Sequence, residues 1–306
     1  MAYDRVLGET RIQCAMPAYA YRIVNVFTQG RTVLSGNPLC VFERAQALDG
    51  ARMQALALQF NLSETTFILP STVATARVRI FTPSFEMPFA GHPTLGTAHV
   101  VRDCLRGGDS LTLEMRAGIV PVTARADRWT LEAKAPRTRE VAAPRDVLAA
   151  MLGLTTADLG TTPLWVDTGS EQLVIPLASA EAVARCAPDP ALLLRHASLD
   201  LPGPPGSARS VRAMAYVWSR VGEGSVSTRF FFSKQGAVVE DPGTGSACAN
   251  LGGWLVATGA ARPQSLTVAQ GEAVGRPCRL GLEVDADGRI FVSGRVLELG
   301  RGTIRL

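Results

Sequence analysis

The sequence predicts an α/β (α+β) protein built from two copies of one unit, each a set of strands wrapped round an apolar central helix. Three observations carry that reading. The segments "GHPTLGTAH" and "EDPGTGSAC" share the pattern x-x-P-x-x-G-[Ser/Thr]-A, matching Gly91 with Glu240, His92 with Asp241, Pro93 with Pro242, Gly96 with Gly245, Thr97 with Ser246 and Ala98 with Ala247. They lie about half of the 306-residue chain apart, as duplication of one unit about a pseudo-two-fold axis requires. Each is followed by a helical segment more apolar than a surface helix tolerates, and "ACANLGGWLVATGA" carries no charge at all.

In order, "AYRIVNVF" is β-branched and aromatic and ends at the turn-forming "SGNP", before a second such run, "LCVFE". Two strands joined by a loop follow from this. In "LDGARMQALALQFN", Asp49 is placed to cap a helix whose apolar Met53, Leu56, Ala57 and Phe60 recur at helical spacing, with a close near Asn61. "SETTFILP" and "ARVRIFTP" return to the strand pattern. The segment "FAGHPTLGTAHVVRDCLRGG" then reads as a helix that Gly107 and Gly108 stop. Strands "SLTLEM" and "GIVPVTA" complete this half. The second half repeats these events, with "QLVIPL", a helix around "ALLLRHA", the loop "LPGPPGSARS", strands "AMAYVWS" and "STRFFF", and finally the uncharged helix. Domains at 18–128 and 129–306 are expected, the last strand pairing back onto the first.

The composition bounds the function without naming it. A hydrophobic fraction of 47% with 19% charged residues is that of an ordinary globular protein with a sizeable core. The net charge of +4 comes from dispersed arginines with no aromatic-interleaved basic block, so a nucleic-acid partner is not expected and an anionic metabolite is. Six cysteines (Cys14, Cys40, Cys104, Cys186, Cys248, Cys278) stand far apart without a C-x-x-C pair, which reads as reduced thiols in a cytoplasmic protein. The N-terminal "MAYDRVLGETRIQCAMPAYA" lacks the apolar core of a signal peptide, and no apolar run is long enough to span a bilayer. Its first 17 or so residues are expected to be a poorly ordered extension.

The Gly-rich turn "GTGSACA" has no lysine before its serine, and "GHPTLGTA" fails the dinucleotide pattern, so neither is a nucleotide loop. What remains is a general property: the free N–H groups and dipole of a helix start hold a carboxylate or an oxyanion. Alone, Asp241 reads as a capping or turn residue, His92 as a hydrogen-bonded turn histidine, and Glu64 as an exposed strand-end acid. If the two halves face each other, both helix starts converge on one cleft, and there His92 and Asp241 become candidate functional groups. The histidines His92, His99 and His196 form no metal pattern.

"SGNPLCVF", "MQALALQFNLSETTFIL", "RIFTPSFEMPFAGHPTLGTAHVV", "DTGSEQLVIPL", "VVEDPGTGSACANLGGWL" and "VAQGEAVGRPCRL" occur in the order seen in the PhzF-like isomerases of phenazine biosynthesis. From about Tyr21 to Leu306 the chain resembles that family, which has the diaminopimelate-epimerase-like fold. The resemblance implies two pseudo-symmetric domains, each a mixed curled sheet around a central helix, with the site between them and commonly a homodimer. It implies Glu64 of "NLSET" as the general acid/base. His92 of "GHP" and Asp241 and Ser246 of the acidic motif follow as substrate-binding residues, together with Gly91, Gly245 and Thr244 at the helix starts.

The phenazine enzyme moves a proton from one ring carbon of a dihydro-hydroxyanthranilate to another, chemistry that needs no metal and no organic cofactor. A carboxylate does this when burial raises its pKa toward the working pH; a rise of about two units corresponds to roughly 2.7 kcal/mol. The expected function is therefore cofactor-independent proton transfer on a small carboxylated metabolite. Alternatives are an amino-acid or hydroxy-acid epimerase with Asp241 or His92 as the opposing base, and an idle ligand-binding member of the fold. Cysteine-dependent racemases of this fold carry a thiol in each repeated loop. Here Ala90, His92 and Asp241 occupy that neighbourhood and Cys248 lies within the helix, so a two-thiol mechanism is not expected. Two departures from the family pattern are Gly243, where alanine is usual and whose flexibility is expected to loosen the turn, and Cys278, where serine is common.

Overall fold

A computed structural model describes residues 17–201 and 210–306. The expected N-terminal extension, Cys14 within it, and the body of the "LPGPPGSARS" loop lie outside the described residues. The first strands are β1 (Ala18–Val26), β2 (Asn37–Phe42), β3 (Thr65–Leu69), β4 (Ala76–Phe81), the short β5 (Glu86–Met87), β6 (Ser110–Met115), β7 (Gly118–Arg125) and β8 (Arg128–Glu132). Two helices lie among them, α1 (Gly50–Phe60) and α2 (Gly91–Leu105). Helix α1 forms where the sequence places it: Asp49 accepts the Arg52 N–H as N-cap, and Asn61 closes it in the left-handed conformation at φ 50°. It buries Met53, Leu56 and Ala57 against the outer face of β2 to β4, in a cluster where Phe42 and Phe67 stack 4.9 Å apart.

The second half contains β9 (Arg137–Glu140), β10 (Leu164–Asp167), β11 (Glu171–Pro176), β12 (Ser198–Leu201), β13 (Ser210–Gly222), β14 (Ser225–Lys234), β15 (Ala237–Asp241), β16 (Gln264–Gln270), β17 (Cys278–Val284) and β18 (Ile290–Arg305). Its helices are α3 (Arg145–Met151), α4 (Ala180–Arg185), α5 (Pro190–His196) and α6 (Gly245–Ala257). The long β18 serves both halves. Its first residues pair with β17 and β8, and its later ones with β1.

That sharing closes the first sheet into a ring. Pairing runs β18, β1, β2, β3, β4, β6, β7, β8 and back to β18, with the β2–β3 and β4–β6 pairs parallel. Inside it lies α2, with Leu95, Ala98, Val100 and Val101 fully buried. The other sheet runs β9, β10, β11, β13, β14, β16, β17, β18, and its parallel pairs β11–β13 and β14–β16 stand in the corresponding places. It curls round α6, which is buried from Gly245 to Leu255 except at Ser246. The fold is thus a mixed α/β pair of pseudo-symmetric units, each with a helix at its centre.

The structure corrects the register of the repeat. Gly91 opens α2 and Gly245 opens α6, and the strands that follow begin at Ser110 and Gln264, at the same separation. His92 therefore corresponds to Ser246, and Asp241 corresponds to Met87 of β5 rather than to His92. The shared Pro and Gly letters misled because they do different work: Pro93 sits in the first turn of α2, where its missing N–H costs nothing, whereas Pro242 lies in the turn before α6. The end of α2 also differs from expectation. Arg106, not Gly107, takes the left-handed position at φ 49°, and the Gly107 N–H bonds the Arg102 carbonyl. Gly107 is small for another reason, since a Cβ there would stand 3.1 Å from Leu111 Cδ2.

Gly96 sets how deeply α2 seats. A Cβ at this residue would lie 2.6 Å from Leu39 Cδ2 and 2.9 Å from Val26 Cγ2. Gly96→Ala is expected to destabilise the protein by about 1–3 kcal/mol through overpacking, read as a lower urea midpoint.

Candidate active site

The two central helices meet at their N-termini through glycines. A Cβ on Gly91 would lie 3.2 Å from Gly245 Cα and 3.3 Å from Ser246 N, and one on Gly245 would lie 3.4 Å from Gly91 Cα. The helix starts therefore abut backbone to backbone. Neither has a side-chain cap, Ala90 and Thr244 being the residues at the N-cap positions. Two sets of N–H groups and two positive dipole ends open onto the same cavity, of about 380 Å³, which is lined by Glu64, His92, Gln172, Arg212, Asp241 and Ser246 among others.

Glu64 reaches the cavity because Asn61 ends α1 and a short turn delivers the carboxyl group at the first residue before β3. The Thr66 and Thr97 hydroxyls, 2.7 Å apart, lock β3 against α2. That lock sets Glu64 relative to His92, and Glu64 Oε2 stands 3.4 Å from His92 Nε2. Both atoms are buried without a hydrogen-bond partner among the described residues. Burial raises the Glu64 pKa to about 8; the nearby Asp241 charge adds to the rise and the Arg212 guanidinium opposes it. Burial lowers His92 to about 3, the Pro38 carbonyl opposing the shift, so the ring is neutral at any working pH.

Asp241 ends β15 and is gripped from several sides. Asn37 Nδ2 donates to its Oδ1 at 3.0 Å and to the Gly243 carbonyl at 3.0 Å, the Thr244 hydroxyl donates to its Oδ2, and Gln270 Nε2 donates to its carbonyl at 2.8 Å. Burial raises its pKa, while the bonds from Thr244, Asn37 and the Gly243 N–H act the other way. With both Asn37 amide hydrogens spent, the His92 Nδ1 at 3.5 Å is left for the Pro38 carbonyl. His92 Nε2 is then an acceptor facing Glu64, ready for the proton of a carboxylic acid.

The cavity thus brings together Glu64, His92, Asp241, Thr244, Ser246, Gly91 and Gly245. Sequence reasoning missed Asn37, Gln172, Arg212 and Gln270. Asn37 stands in the turn "SGNP", Gln172 in the strand "QLVIPL" and Gln270 in the motif "VAQGEAVGRPCRL", with no functional role expected of any of them. Arg212 lies near the start of β13, with no charged partner nearby in sequence. His99 packs against Trp129 and His196 ends α5. Among the described residues no group of three or more His, Cys, Asp or Glu side chains could hold a metal ion, and Cys40, Cys104, Cys186, Cys248 and Cys278 are free thiols. No helix among the described residues is long and apolar enough to cross a membrane.

The profile of the PhzC-PhzF family, phenazine biosynthesis-like proteins, matches residues 24–300. The chain belongs to this family. This PhzF-family chain is 38% identical to an uncharacterised isomerase of Pasteurella multocida over 94% of each chain. It is 33% identical to the trans-2,3-dihydro-3-hydroxyanthranilate isomerase of Pseudomonas aeruginosa, covering 90% of this chain and 99% of that one. A PhzF-family phenazine biosynthesis protein of Bacillus anthracis, at 24% identity, superposes with a TM-score of 0.78 over 95% of this chain and all of the other. The fold is shared with a protein of Agrobacterium radiobacter described as a probable proline racemase and with a hydroxyproline epimerase of Agrobacterium vitis, at TM-scores of 0.64 and 0.61. As a member of a family whose relatives are named isomerases, the PhzF-family protein is an isomerase.

The two departures from the PhzF pattern turn out to be one. A Cβ on Gly243 would meet Cys278 Sγ at 2.7 Å and Cys278 Cβ at 3.2 Å, and Gly243 is not among the residues at positive φ. The sulfur fills the space that an alanine methyl would need, so the turn is packed rather than loosened. Gly243→Ala is expected to cost about 1–3 kcal/mol. In a double-mutant cycle, Cys278→Ala should recover most of that loss, whereas additive losses would show that the two sites do not touch.

Proposed function

We propose that this PhzF-family isomerase moves a proton on a small carboxylated metabolite, with Glu64 as the group that takes the proton and returns it. The observation that carries the reading is the position of Glu64. Its carboxyl group opens into the cavity at the abutting helix starts, 15% exposed, with a pKa raised to about 8 and an unpartnered oxygen facing neutral His92. A carboxyl group poised near working pH is basic enough to remove a proton from carbon and acidic enough to deliver it to another position.

The helix starts and Arg212 supply positive potential for the substrate carboxylate and for the charge that develops as the proton leaves. His92 holds the proton-bearing form of Glu64 through Nε2. Asp241 accepts from Thr244 and Asn37, and orders the turn that presents Thr244 and Ser246.

The same geometry argues against a two-base epimerase. His92 is too weak a base at a pKa of about 3, and both Asp241 oxygens already accept hydrogen bonds. The relative from Pseudomonas aeruginosa makes trans-2,3-dihydro-3-hydroxyanthranilate the natural first substrate to try. In D2O the wild type should isomerise it with solvent deuterium appearing at the carbon that gains the proton. Glu64→Gln should lower that rate by about 100-fold or more. Unchanged turnover in Glu64→Gln would remove Glu64 from the proton-carrying role.

Two pH effects follow from the same shift. Glu64 must start deprotonated, so kcat/KM should rise with pH through about 8. Arg212→Met, by removing the charge that opposes the shift, should move that limb to higher pH. For stability, the raised pKa means that the folded state holds the Glu64 proton between about 4.5 and about 8 while the unfolded chain has lost it. Stability should therefore fall with rising pH across that window, by up to ~1.4 kcal/mol per pH unit from this group. Glu64→Gln should flatten the fall, so that its Tm advantage over wild type is small at pH 5 and grows toward pH 8.

A further inference from the structure

Behind Ser246 runs a chain of buried hydrogen bonds whose direction can be read without ambiguity. The Thr168 backbone N–H, which can only donate, bonds Asn250 Oδ1 at 3.0 Å, and the Thr168 hydroxyl bonds the same oxygen at 2.7 Å. That orients the Asn250 amide. Its Nδ2 donates to the Ser170 carbonyl at 2.8 Å and to Gln172 Oε1 at 2.9 Å. Gln172 is oriented in turn, and its Nε2 donates to Ser246 Oγ at 3.0 Å. Asn250 is 0% and Gln172 2% exposed, so water does not compete for these bonds.

The consequence falls on the serine. Ser246 Oγ is committed as an acceptor on its protein side, and its own proton is left for a group in the cavity that Ser246 lines. We propose that Asn250 and Gln172 are positioning residues that fix Ser246 as a donor toward the cleft, so that its O–H and the uncapped N–H groups of the α6 start present donors only. A carboxylate meets these with two acceptor oxygens, whereas a carboxamide offers one oxygen and sets its NH2 against a donor. Among the described residues the first half has no such device. Gly96 holds the place on α2 that Asn250 holds on α6, and is filled by Leu39 and Val26 instead. One helix start is thus tuned by a polar ladder and the other is not, which gives a pseudo-symmetric cleft a defined orientation for its ligand.

The inference rests on the reading of the cleft as a carboxylate site, but not on Glu64 as the proton carrier, and a binding measurement separates the two. Anthranilate and anthranilamide, which differ only in carboxylate against carboxamide, are titrated calorimetrically into wild type, Ser246→Ala, Gln172→Met, Asn250→Ala and the Ser246→Ala/Gln172→Met double variant. Melting curves confirm that each variant is folded. Wild type should prefer anthranilate. Each single variant should weaken anthranilate about tenfold and leave anthranilamide nearly unchanged. The double variant should bind no more weakly than Ser246→Ala, because Gln172 acts through the serine. Either of two results overturns the proposal: anthranilate bound by wild type no better than anthranilamide, or losses from Ser246→Ala and Gln172→Met that multiply. Should Glu64→Gln keep full turnover while these binding results hold, the proton-transfer reading fails and this one stands.

Discussion

The structure depends on one close contact, that of Gly91 with Gly245, where two buried helices meet N-terminus to N-terminus with only hydrogen atoms between their backbones. A Cβ at Gly91 would press on the Gly245 Cα at 3.2 Å, so a side chain there would have to push the helix starts apart. The arrangement is electrostatically costly on its own. Two half-charges ~5 Å apart at an effective dielectric of ~20 repel by about 0.8 kcal/mol, and with no side-chain cap the N–H groups of both first turns point into one cavity. Negative charge nearby offsets the cost. The Asp241 carboxyl group, held by Thr244 and Asn37, supplies part of it, and a bound carboxylate would supply the rest.

Holding that contact requires two curled sheets that share material. Strand β18 pairs with β17 and β8 at one end and with β1 at the other, so the orientation of the halves is built into a continuous backbone ladder. Polar pairs then place the chemistry: Thr66 with Thr97 on one side, Asn37 with Asp241 across the cleft, and Gln172 with Ser246 on the other side. Glu64 alone among the cavity carboxylates is left without a strong donor. Its high pKa and the bonds that hold Asp241 are thus complementary outcomes of one packing arrangement.

Much of this was legible in the chain. Helix α1 appears at the residues its cap and spacing indicate, because Asp49, Asn61 and the apolar stripe act locally. The apolar, charge-free segment after Thr244 could only be a buried helix, and it is. Register was less legible. The Pro and Gly letters of the two motifs align His92 with Asp241, yet the folded units align it with Ser246, because a proline in a first helical turn and one in a preceding turn serve different backbones. Gly243 read alone suggested a looser turn; only the packed structure shows the Cys278 sulfur occupying its missing methyl.

What the sequence by itself determined is the duplicated α/β architecture, the central helices and the residue types available to the cavity, since these follow from periodicity, caps and motifs that act over a few residues. The tertiary structure decided which of those residues meet. Asn37, Gln172, Arg212 and Asn250 carry no local signature; their roles come from partners such as Asp241 and Ser246 that lie far away in sequence. Likewise, burial, not residue type, separates Glu64 from the strand-end acids it resembles. Local pattern encodes helices and strands, whereas desolvation and the direction of a hydrogen bond exist only once the two halves have closed on each other.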